Sequence, residues 1–111
     1  MYKYSAKRSM AGFIGAQGGI PTMPANTVAP SITGTTTVGS TLTAADGTWT
    51  GRFAPVLTRQ WNRSGVAITG ATAATYVLVS ADLGETITVT VTGENSVGRV
   101  AATSAATAAI T

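Results

Sequence analysis

The chain has 111 residues, one domain's worth, of which 44% are hydrophobic and only 10% charged, against about a quarter charged in ordinary proteins. It has 0 histidines and 0 cysteines, which excludes disulfides, thiol chemistry, imidazole or thiolate metal sites and the usual nucleophile–base pairs. The net charge is +3, and Lys3, Lys7 and Arg8 hold all of the excess, because Arg52, Arg59, Arg63 and Arg99 are matched by Asp46, Asp82, Glu85 and Glu94.

Residues 1–26 show neither helical nor alternating periodicity. Gly12, Gly15, Gly18 and Gly19, then Pro21 and Pro24, make this stretch costly to order. Tyr2, Tyr4, Phe13, Ile14 and Ile20 are nevertheless not the residues of an inert linker. The reading is an extended basic arm that orders on a partner. Its glycines and Gln17 also break the apolar run, so no secretory signal is expected. No run of 18 apolar residues exists, and no membrane span is expected.

From Thr27 the texture changes to short strands at regular spacing, which predicts an all-β sandwich over 27–111. VAPSI (28–32) is the first, with Pro30 marking an edge. TLTAA (41–45) ends at Asp46-Gly47, and Trp49 follows that turn. VLTRQWNR (56–63) puts Leu57, Arg59 and Trp61 on one face, with Arg63 on the same face by alternation. The strand is therefore expected to twist or leave the sheet near Arg63. Ser64-Gly65 leads to VAIT (66–69), and Gly70 to TYVLV (75–79). SADLGE (80–85) is read as a corner carrying Leu83 inward. ETITVTVTGEN (85–95) alternates Ile87, Val89 and Val91 with threonines, apolar inward. Gly98 closes a hairpin into RVAATSAATAAIT (99–111). No helix is expected.

Seven strands of this spacing suit an immunoglobulin-like sandwich. Trp61, facing the Ile87/Val89/Val91 stripe, is read as core rather than as a ligand-stacking ring, with Trp49 and Tyr76 bordering the same core. The runs VGSTLTAADGTWTG (38–51) and RQWNRSGVAITGATAATYVLVSADLGETITVTVTGENSVG (59–98) resemble a bacterial and bacteriophage immunoglobulin-like repeat. The likeness runs from about Ala29 to Thr111 and lacks the cysteine pair of antibody domains. It implies a fold strongly and a function weakly, because such modules occur in adhesins, in secreted enzymes and on phage capsids and tails.

Chemistry is sparse. Asp82 in the Asp-x-Gly corner is expected to cap backbone N–H groups rather than to hold calcium. The four carboxylates form no glycosidase pair. GFIGAQGG (12–19) lacks the Lys-Ser/Thr ending of a phosphate loop. Neither enzyme activity, a metal, a cofactor nor nucleic-acid binding is expected.

The function these residues and the resemblance imply is a capsid decoration (cement) protein of a tailed phage, located on the virion. Its partner would be the major capsid protein or another virion protein, and possibly copies of itself. Tyr2, Lys3, Tyr4, Lys7, Arg8, Phe13 and Ile14 would carry attachment, because the threonine-covered body offers few anchors. The loops around Trp49–Phe53 are the fallback surface. A phage tail or neck accessory, and a secreted or cell-surface adhesin or carbohydrate-binding module, remain the alternatives.

Overall fold

The structure, a computed structural model, describes residues 20–111. Tyr2, Lys3, Tyr4, Lys7, Arg8, Phe13 and Ile14 lie outside the described residues.

The described chain is an all-β sandwich. One sheet has the order β9-β8-β5-β6, built from Val56–Arg63 (β5), Val66–Ala67 (β6), Ile87–Glu94 (β8) and Arg99–Thr103 (β9). Opposite it lies a long two-stranded ribbon. Thr22–Val28 (β1) continues into Ser31–Thr33 (β2), and Thr41–Ala45 (β3) continues into Thr48–Arg52 (β4). The antiparallel register runs through both halves, with Ser31 opposite Ala45, Val28 opposite Thr48 and Thr22 opposite Arg52. Thr75–Val77 (β7) pairs with β3 and completes the second sheet. Taken as continuous strands, the nine segments make seven.

The ribbon runs on past the strand end expected at Asp46-Gly47, and the strand expected over 28–32 is split at Ala29 and Pro30. Pro30 interrupts the pairing of one strand and Asp46-Gly47 bulges the other, so each bends without ending. Gly47 has φ +79°, and a Cβ there would sit 2.0 Å from the Val28 carbonyl oxygen. Only glycine lets the two backbones pass so closely. β1 therefore lies largely inside the stretch assigned to the arm, whose residues from Thr22 on pair with β4. Trp49 sits within a strand, not merely beyond a turn.

β5 also departs from expectation. It stays in the sheet through Arg63, which pairs with Ile87 on one side and Val66 on the other. Trp61 and Arg63 share a face because ion pairing, rather than twisting, accommodates the charge. The following Ser64-Gly65 turn has positive φ at both residues (45° and 84°), the conformation that two-residue hairpins favour.

The core is Leu42, Trp61, Leu78, Ile87, Val89 and Ile110, all buried. Val91 is also buried, one step further along β8. Trp61 lies directly beside Val89 in the same sheet rather than across the sandwich from it. Its indole N–H donates to the Ala73 carbonyl at 2.8 Å, and Tyr76 stacks on it with ring centroids 5.7 Å apart. The buried donor is thereby satisfied.

Leu83 is not core. It is 61% exposed, because the inward position of the Ser80–Asp82 3₁₀ turn is taken by Asp82 and the next side chain is thrown outward. Leu78 and Ile110 fill the space assigned to it. Trp49 borders a different part of the sandwich, where its ring lies over Gly93. A Cβ at Gly93 would be 2.9 Å from that ring and 3.3 Å from Leu57.

The carboxyl-terminal segment follows β8 beyond β9 by a three-residue repeat. The N–H groups of Ser104, Thr107 and Ile110 donate to the carbonyls of Val89, Ile87 and Glu85. The Ser104 and Thr107 hydroxyls accept the N–H groups of Val89 and Ile87, at 3.0 and 3.1 Å. Three residues here match two of β8, so side-chain oxygens replace the ladder carbonyls that fall out of step.

Candidate interaction surface

Two polar clusters deserve description before any surface. At one end of β5, Asp82 is fully buried. Its Oδ2 accepts the Val79 N–H and the Tyr76 hydroxyl, both at 2.8 Å, and its Oδ1 accepts Arg63 Nε at 2.6 Å. Burial pushes the Asp82 carboxyl up, but Val79, Arg63 and Tyr76 together outweigh it and hold it below the ordinary carboxylate value. Burial, and then the bond to Asp82, raise the Tyr76 hydroxyl. The expected capping role of Asp82 is present, with Arg63 and Tyr76 added to it. Both carboxylate oxygens are engaged, with three donors on a fully buried group, so this is a structural lock. Further along, Arg59 grips Asp46 through two bonds of 2.5 and 2.6 Å. The Asp46 carbonyl accepts the Trp49 indole N–H at 2.8 Å.

The opposite end of the sandwich has a different character. Asn95, in the turn between β8 and β9, ties three segments together. Its side-chain amide donates to the Thr22 carbonyl at 2.8 Å and the Phe53 carbonyl at 2.9 Å, while its Oδ1 accepts the Val97 and Gly98 N–H groups. The start of β1, the Phe53–Pro55 loop and the β8–β9 turn are thereby held at one place. Gly98 is the close neighbour of the Met23 side chain.

Around that clamp several exposed side chains are apolar. Ile20 is 80% exposed, Val56 70% and Phe53 60%, with Met23 and Val97 about half exposed. The Arg52 guanidinium lies 6.0 Å from the Phe53 ring centroid, within cation–π range. Glu94, next to Asn95 and opposite Val56 in the ladder, pairs loosely with Arg99 at 3.3 Å. A group of exposed apolar chains with an arginine–aromatic pair is the composition of a protein contact rather than of a polar binding cleft. No family model, curated protein or solved structure matches the chain.

This end is also where the chain enters the described residues. Residues 1–19 join at Ile20, two residues before the Thr22 that Asn95 holds. Phe53 and Val56 are exposed here, on a body expected to offer few anchors. The fallback surface around Trp49–Phe53 divides: Trp49 is turned against Gly93, whereas Thr50 and Phe53 are exposed. Asn95, Val56 and Met23 were missed in the sequence. The Asn-Ser-Val-Gly turn signalled a hairpin, but nothing in it signalled which distant carbonyls its asparagine would hold.

A groove of about 480 Å³ is lined by Leu57, Thr58, Arg59, Gln60, Thr72 and Thr92. Among the described residues, no cluster of three metal-binding side chains occurs.

Proposed function

We propose that the chain is a non-enzymatic structural protein of a tailed-phage virion that decorates or cements the capsid. Residues 1–19 attach it to the major capsid protein, and the sandwich stands on the shell surface. The observation that carries this reading is the apolar group of Ile20, Met23, Phe53, Val56 and Val97 at the place where the basic amino-terminal stretch joins the body. Lys3, Lys7 and Arg8 supply charge bias, and Tyr2, Tyr4, Phe13 and Ile14 supply anchors. The arm root adds a rigid platform, so the footprint extends from the arm onto the body. A long interface of this kind offsets the cost of ordering the arm.

Binding to shells that lack the protein tests the reading. The full chain should decorate them, and a chain lacking residues 1–19 should lose binding. Phe53→Ala with Val56→Ser should weaken binding at least tenfold while leaving the fold intact, because both side chains are largely in solvent. Decoration at full occupancy by the truncated chain would overturn the role of the arm. Binding to purified tails but not to shells would overturn the capsid location.

A further inference from the structure

We infer that the β7 edge is a self-association surface, through which two copies of this chain pair in antiparallel fashion. In the β3–β7 ladder the Leu78 N–H donates to the Ser40 carbonyl, the Gly39 N–H to Leu78, and the Ala44 N–H to Ala74. Residues 74, 76 and 78 thus turn their backbone groups toward β3, and alternation turns those of Thr75 and Val77 away from the sheet. No backbone bond to either outward pair occurs among the described residues.

Sheet edges are normally guarded by charge, proline or bulges. The other flank of this sandwich follows that rule, with Arg99 on β9 and Pro24 and Pro30 along β1 and β2. The β7 flank does not. Between Arg63 and Asp82 no residue carries a charge, and Val66, Val77 and Val79 are all about half exposed or more. An open groove of about 370 Å³ lies beside β7, between it and the Gly70–Ala73 loop.

A second copy fits this edge on two grounds. An antiparallel two-fold places Thr75 opposite Val77 of the other copy twice over, and each such pair exchanges both N–H···O=C bonds. No charged residue lies between Arg63 and Asp82, and those two pair with each other beside Tyr76, so two copies meet along Thr75–Val77 without like-charge repulsion. The three-stranded sheet β2-β3-β7 then becomes one six-stranded sheet across the pair. Only three residues per strand pair, so the contact is smaller than a standard stable interface. It is weak in dilute solution and becomes effective where copies are concentrated.

Amide-resolved hydrogen exchange of the full chain, from dilute into millimolar solution, tests this together with sedimentation. The Thr75 and Val77 amides should slow several-fold as concentration rises, in step with a monomer–dimer equilibrium. Val77→Lys, and independently Thr75→Lys, should abolish both effects, since either charge would meet the other copy's edge. Concentration-independent exchange at these two amides would overturn the inference. So would association that survives in both lysine variants, or an edge that takes a strand from a different protein but never from a second copy.

Discussion

Trp61 shows how one side chain organises this sandwich. It is fully buried, stacks on Tyr76 and donates to Ala73. Trp61→Ala should cost about 3–5 kcal/mol in denaturant unfolding, as large aromatic truncations do. Asp82 is the second decisive residue. Its carboxyl titrates below its unfolded value, so it contributes stability that is complete above the unfolded pKa of about 3.9. That contribution is lost as pH falls through the depressed folded value. The melting temperature should therefore fall steeply below about pH 4, and Asp82→Asn should start lower and show a shallower acid limb. An identical acid limb in the variant would show that Asp82 does not carry the loss.

At the scale of elements, the carboxyl-terminal segment and β4 are the informative cases. The Ser104–Ile110 stretch keeps step with β8 because hydroxyls at Ser104 and Thr107, three residues apart, accept the N–H groups of Val89 and Ile87. Thr107→Val preserves shape but leaves the part-buried Ile87 N–H without its acceptor. It should cost about 1–3 kcal/mol by denaturant melting, whereas Thr103→Val on exposed β9 should be close to neutral. β4 reaches the opposing sheet through Trp49, which fits only because β8 has no side chain at Gly93. Gly93→Ala should destabilise by about 1–3 kcal/mol through overpacking, and Trp49 fluorescence should shift as the ring is displaced.

For the molecule as a whole, the domain boundary is the testable matter. Among the described residues, the core cluster is drawn from Leu42 to Ile110 and the Asn95 clamp reaches back to Thr22. A chain lacking residues 1–19 should unfold cooperatively near the full-length melting temperature. Removing residues 1–26 deletes most of β1, its pairing with β4 and the Thr22–Asn95 bond. That truncation should lower the midpoint by well over 4–8 °C, about the shift for each 1 kcal/mol in a domain of this size. Equal melting temperatures for the two truncations would restore the boundary suggested by composition.

The sequence by itself determined the all-β class, the spacing of strands and the buried stripe of Ile87, Val89 and Val91. Those follow from period-2 alternation, which is a local property of the chain. It also marked the Asp-x-Gly corner, because turn chemistry is local too. Tertiary structure alone decided that β1 belongs to the body, since its residues lack alternation and become a strand only when β4 lies alongside. It decided that Leu83 faces solvent, because Asp82 found Arg63 and Tyr76 at distances of 19 and 6 residues along the chain. It decided, too, that Asn95 holds the arm root from 73 residues away. Partners at such separations leave no local trace, because a side chain's short-range pattern records its own face and not what will be brought against it.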